Sequence, residues 1–264
     1  MQKSAQTLIL KKEGENVILS VAFGKGGTGK TSTVCALANL ARMKGLKALV
    51  IDCDTQGNST FALGGDLTAA GLYSILTGKA HAAQVIQHTQ QADIVSAGLD
   101  MAEADSKLKN LAILKDAIQP LRSQYDLILL DCPPGLSRIT KAALAASDSV
   151  LLPMLADSFS VMGLYLMQQA IEDARAISPE LQIAGILLIQ YKQNQNLASD
   201  LRSGIDDMAH SMGTKVFKTF IRDSVAVRKA QARQQSLFDY APRSNPAADY
   251  AALYKELKLK KERK

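Results

Sequence analysis

The chain is poor in the residues that build extracellular scaffolds, metal fingers and membrane spans. Its 264 residues include no tryptophan, three cysteines, three histidines and 5% aromatic side chains. Cys35, Cys53 and Cys132 are odd in number, far apart, and include no C-x-x-C pair. That pattern argues against a disulfide framework or a zinc site and favours reduced, buried thiols. His81, His88 and His210 lack ligand spacing. No apolar run approaches the roughly 18 residues of a spanning helix. The opening "MQKSAQTLILKKEGEN" has too short an apolar stretch, and no cleavage pattern, for a secretory leader. A cytoplasmic protein is expected.

What is present is ordinary in amount and uneven in placement. Hydrophobic residues make up 47% and charged residues 21%, the balance of a globular protein large enough for a substantial core. Net charge is +6, and residues 255–264, "KELKLKKERK", carry six basic and two acidic side chains. A second basic cluster, Lys215, Lys218, Arg222, Arg228, Lys229 and Arg233, is opposed between 215 and 233 only by Asp223. A cationic C-terminal third suggests a polyanionic partner.

Apolar runs of strand length alternate with helical segments. Strands are expected at 17–23, 47–54, 92–97, in the 125–135 stretch, and at 147–154, 181–190 and 214–220. Helices are expected at 31–45, in short pieces within 66–90, along 101–120, near 160–176 and 196–211, and from Asn245-Pro246 onward. Continuous apolar strands between helices imply an α/β fold, a mostly parallel, doubly wound sheet covered on both faces. The expected organisation is an N-terminal extension (1–16), one domain (17–258) and a basic tail (259–264). Nothing before residue 17 has room for a helix-turn-helix module.

The sharpest motif is "GKGGTGKT" at 24–31, which satisfies G-x-x-x-x-G-K-[ST] between an expected strand and an expected helix. Such a loop turns its backbone N–H groups, here those of Gly26, Gly27, Thr28, Gly29, Lys30, Thr31 and Ser32, toward phosphate oxygens at a helix N-terminus. Lys30 is expected to reach the β- and γ-phosphates of ATP, and the Thr31 hydroxyl to ligate Mg²⁺. Carboxylates belong at the carboxyl ends of neighbouring strands. "LILLD" places Asp131 there as a magnesium-holding residue. "LVIDCD" offers Asp52 and Asp54, on one side of an extended chain. One of this pair, with Asp52 the candidate, would support the metal shell, and the other, further out, would position the attacking water.

Beyond the loop, several segments resemble one family. The extra lysine of "KGGTGKT", Lys25, is similar to the signature lysine of the deviant Walker A ATPases. "DCDTQGNST" resembles the D-x-D-P-Q-G-N-x-T segment of ParA-type (Soj-like) partition ATPases. "YDLILLDCPPGLSRITKAALAASDSVLLPM" resembles their Walker B region, and "GILLIQY", "VFKTFIRDSVAVRKAQ" and "SLFDYAPRSNPAADYAALYKEL" resemble their C-terminal third. The resemblance spans roughly residues 17–258. It implies an ATPase whose ATP-bound protomers form a homodimer, with Lys25 reaching across to the partner's phosphates. It also implies that Asp54 orients the hydrolytic water, that Asp157 approaches nucleotide at the dimer interface, and that Ile221 and Arg222 pass the adenine.

By the same resemblance the dimer binds DNA without sequence preference, and a ParB-like, DNA-bound adaptor stimulates hydrolysis. Lys192, Arg202, Lys218, Arg222, Arg228 and Lys229 are the candidate DNA contacts, on a nucleoid-associated protein. Thr55 stands where the family has proline, and "IRD" where many members read I-P-R. Positioning of another cargo on the nucleoid is an alternative. A MinD-like membrane switch is a weaker one, because the charged tail with Leu253, Leu257 and Leu259 makes a poor membrane inserter.

Overall fold

The computed structural model describes residues 16–108, 110–191 and 196–259. Among the described residues seven strands form one sheet: β1 (Val17–Val21), β2 (Ala48–Asp52), β3 (Ile86–His88), β4 (Asp93–Val95), β5 (Leu127–Asp131), β6 (Ser149–Leu155) and β7 (Gln182–Ile189). Their order is β3-β4-β2-β5-β1-β6-β7, with every pairing parallel except β3 on β4. The chain leaves β1 toward one edge, returns through β5, and crosses β1 to build the other edge with β6 and β7. That reversal opens a crevice beyond the carboxyl ends of β1 and β5, where open α/β sheets bind ligands.

The strands are apolar throughout because both faces are covered. Ile18, Leu49, Ile51, Ile128, Leu130, Leu152 and Leu188 join one core, while Val17, Leu19, Val21, Val50, Leu129, Leu151 and Leu187 join the other. Each fully buried aliphatic side chain of this kind contributes about 1.5–3 kcal/mol. The helices are α1 (Lys30–Met43), α2 (Asn58–Ala62), α3 (Leu72–Leu76), α4 (Ala104–Lys107), α5 (Ile113–Ile118), α6 (Arg138–Ala146), α7 (Ser158–Arg175), α8 (Asn196–Ser211), α9 (Val225–Ala232), α10 (Leu237–Tyr240) and α11 (Asn245–Glu256). Helices α5, α6, α7 and α8 cover the first core; α1, α9 and α11 cover the second.

Three local expectations are corrected. Residues 214–220 form no strand. Val216 and Ile221 make isolated bridges to Ile186 and Ile189, so five residues span what three span on β7 and the ladder cannot close. The Lys218 and Thr219 N–H groups between them donate instead to the Glu256 carboxylate, at 3.0 and 3.1 Å. The helical stretch expected over 101–120 is broken into short turns around α4 and α5. One break is fixed by the Asn110 side chain, which accepts the Ala112 N–H at 2.9 Å. Within 66–90 the short helices are joined by β3, a three-residue antiparallel edge strand too brief to show a period.

Candidate nucleotide site

The phosphate loop follows Phe23, two residues beyond β1, and enters α1 at Lys30. Two glycines make the turn possible: Gly27 and Gly29 have φ of +73° and +72°, a region that side chains with a Cβ rarely tolerate. At Gly29 an added Cβ would also stand 3.3 Å from Ile189 Cγ2. Lys30 is buried and donates from Nζ to the carbonyls of Lys25 (3.0 Å) and Phe23 (3.3 Å). Its ammonium is thus held inside its own loop. Burial pulls its pKa below the ordinary value, and the nearby Asp131 and Asp54 charges oppose that pull. Gly26 to Ser32 line a cleft of about 660 Å³, a size suited to a nucleotide.

The three aspartates are brought together by strand register, since Asp52 on β2 pairs with Asp131 on β5. Their environments differ. Asp52 is fully buried and saturated: Oδ2 accepts from the Thr60 N–H (2.8 Å) and hydroxyl (2.7 Å), and Oδ1 accepts from the Asp54 N–H (3.1 Å). It therefore orders the 53–60 segment that carries Asp54. Asp54 lines the cleft, and its Oδ1 accepts the Gln56 N–H at 3.0 Å.

Asp131 is also fully buried, yet neither of its carboxylate oxygens has a hydrogen-bond partner among the described residues. Burial, with the Asp52 charge beside it, pushes its pKa up to about 8; the Thr31 and Ser59 hydroxyls, near it but outside hydrogen-bond geometry, offset this only in part. An orphaned buried carboxylate beside a threonine hydroxyl at a phosphate loop is a donor set that suits Mg²⁺. No group of three or more His, Cys, Asp or Glu side chains converges on a point among the described residues. Such a cation would therefore complete its shell with phosphate and water oxygens.

Lys25 does not line this cleft. Its ammonium is 2.7 Å from Asp157 Oδ2, and both side chains are partly exposed, at 40% and 33%. Asp157 caps α7, accepting the Ser160 N–H through Oδ1 at 2.7 Å. Burial alone would raise the Asp157 pKa, but the Lys25 and Ser160 hydrogen bonds outweigh it and hold the carboxyl below its ordinary value. Both residues expected at a protomer interface thus lie side by side on one rim.

At the far end the cleft is closed by Ile189, Ile221, Arg222, Val227, Gln231 and Tyr250. Ile221 is buried, whereas Arg222 is exposed and its guanidinium is forked onto Asp249, with Nη2 2.5 Å from Oδ1 and Nε 3.0 Å from Oδ2. Among the described DNA candidates, Arg228 is the one besides Arg222 in the cleft lining. Lys218 and Lys229 are exposed. Arg228 lines the cleft and is 3.7 Å from Asp223. Arg202 pairs with Asp206 at 3.0 Å on α8. Lys192 lies outside the described residues, as do residues 1–15 and 260–264 of the expected extension and tail.

Several neighbours of the site were missed in the sequence: Thr60, which holds Asp52; Gln231, which accepts from the Ser32 hydroxyl at 3.4 Å; and Tyr250, 3.4 Å from the Thr33 hydroxyl. Helix α9, which brings Val227, Arg228 and Gln231 to the cleft, was missed as well. Ser224 was the available signal, because it caps that helix by accepting the Ala226 N–H at 3.2 Å.

The loop, its aspartates and the sheet order together define a P-loop nucleotide-binding protein. A family model described as an AAA domain matches residues 16–183. The sporulation initiation inhibitor protein Soj of Bacillus subtilis is 31% identical over 250 residues, covering 91% of this chain and 97% of that protein. The chromosome-partitioning ATPase Soj of Thermus thermophilus is 33% identical over 247 residues, covering 90% and 94%. Among solved structures, an ATP complex of Cyanothece McdA superposes with a TM-score of 0.82 at 20% identity, over 95% of this chain and 100% of that one. That last likeness speaks to the fold alone. The chain belongs to the ParA-type (Soj-like) partition ATPases of the deviant Walker A P-loop family.

Proposed function

We propose that this protein is an ATP-switched partition ATPase that pairs face to face on binding Mg²⁺–ATP, holds DNA without sequence preference in that state, and is released by adaptor-stimulated hydrolysis. The observation that carries this reading is the second lysine. Lys25 sits on the phosphate loop yet outside the cleft, on a rim where its ammonium meets the Asp157 carboxylate. A γ-phosphate presented by a second protomer is a stronger partner than one carboxylate, so pairing would depend on the triphosphate.

Within one subunit Lys30 exchanges its two loop carbonyls for phosphate oxygens. Thr31 and Asp131 would hold Mg²⁺, which would supply charge neutralisation on the phosphates. Asp54 orients water on the segment that Asp52 fixes, and Ile221 and Arg222 bound the base. Arg228 in the cleft lining and the exposed Lys218 and Lys229 would offer phosphate contacts, with Arg202, Arg222 and Lys192 further candidates; DNA binding would then fall steeply with salt. A small ParB-like protein is the expected adaptor, and the nucleoid the expected location. Among the described residues no helix is long and apolar enough to cross a membrane.

The test is sedimentation of the full chain with Mg²⁺–ATP, alone, with plasmid DNA, and with anionic liposomes. A dimer that pellets with DNA and not with liposomes is expected. A monomer under all conditions, or liposome binding alone, would overturn the proposal.

A further inference from the structure

A second cleft, of about 610 Å³, opens at the opposite end of the sheet, where β2, β4 and β5 begin. Five-residue strands separate it from the nucleotide cleft, a span of about 16 Å. Its lining holds three basic side chains: Arg42 in the last turn of α1, Lys47 just before β2, and His88 at the end of β3. The carboxylate in that lining, Asp93, is already used. Its Oδ1 faces His88 Nδ1 at 2.8 Å and its Oδ2 accepts the Tyr125 hydroxyl at 2.7 Å.

A carboxylate only accepts, so His88 Nδ1 carries the hydrogen; this fixes the ring and leaves Nε2 for a ligand. Neither Arg42 nor Lys47 has an ion-pair partner among the described residues. Asp126, next along the chain, lies outside the lining and accepts the Lys47 backbone N–H at 2.7 Å. Buried Leu46, Ala48 and Ala92 add an apolar floor.

Two exposed cations without an ion-pair partner among the described residues and an imidazole oriented by Asp93, beside an apolar floor, suit a compact polyvalent anion, whereas a cation would meet repulsion. We infer that this cleft is a second binding site, for a small phosphorylated molecule, separate from the nucleotide cleft. It stands whether or not the partition reading does.

The test uses the full chain with its nucleotide cleft saturated by ADP and Mg²⁺, titrated with inorganic pyrophosphate at constant ionic strength and followed through the imidazole NMR signals. With only three histidines, the variants His81→Gln and His210→Gln assign the spectrum. The His88 signals should move saturably while the other two stay. Arg42→Ala and Lys47→Ala should each weaken the affinity about tenfold, the loss of one charge-assisted contact, with circular dichroism unchanged. No movement of His88 at millimolar pyrophosphate, equal movement of all three histidines, or unchanged affinity in both variants would overturn the inference.

Discussion

Replacing Asp131 by asparagine should make the nucleotide-free protein more stable at neutral pH while disabling it as an enzyme. The folded chain buries this carboxyl completely and leaves both its oxygens without a partner among the described residues, so it holds a proton up to about pH 8, against an ordinary value of 3.8. The unfolded chain gives that proton up near the ordinary value. Between those limits the folded state binds more protons, so stability is full at acid pH and falls as pH rises toward 8. Each pH unit is worth about 1.4 kcal/mol. From about pH 5 to about pH 7 the wild-type chain should therefore lose about 2–3 kcal/mol through this group. The asparagine amide has the shape without the ionisation and should remove that part of the slope. Burial raises Asp52 in the same direction, so some slope remains in both proteins, and the informative quantity is the difference. Urea denaturation of the two proteins across this range, followed by circular dichroism without nucleotide or magnesium, measures it. Parallel pH profiles would refute the claim that Asp131 is an unsatisfied acid waiting for a cation. A variant that kept full magnesium-dependent ATP turnover would refute its place in the metal shell.

The other expectations concern the loop, the rim and one packing contact. Lys30→Ala should lose nucleotide affinity by at least about a hundredfold, as two charge-assisted phosphate contacts disappear; equilibrium dialysis with labelled ATP checks this. Asp54→Ala should bind ATP normally and turn it over at least about a hundredfold more slowly, accumulating as a DNA-bound dimer; single-turnover kinetics and DNA pelleting together separate binding from chemistry. Lys25→Ala should keep most nucleotide affinity yet remain monomeric with Mg²⁺–ATP, and normal sedimentation as a dimer would remove the cross-subunit role. Gly185→Ala should destabilise the fold by about 1–3 kcal/mol, because a Cβ there would stand 2.5 Å from Phe217 Cε2; denaturant unfolding reads the loss.

Local sequence determined whatever depends on neighbours in the chain. Short apolar runs such as the four residues before Asp131 in "LILLD" declared strands buried on both faces, and the glycines of "GKGGTGKT" declared a loop whose backbone must adopt positive φ, as Gly27 and Gly29 do. Tertiary structure decided whatever depends on which strand lies beside which. Asp52 and Asp131 are far apart in the chain, and only the β2–β5 register sets them side by side, one saturated and the other orphaned. The same holds for Lys25 meeting Asp157 and for Arg222 meeting Asp249. It also explains 214–220, which looks like a strand from its own residues and fails to become one because Glu256 takes the N–H groups of Lys218 and Thr219. Secondary-structure preference is local, whereas hydrogen-bond satisfaction and charge compensation are settled by groups that the folded chain brings from far away.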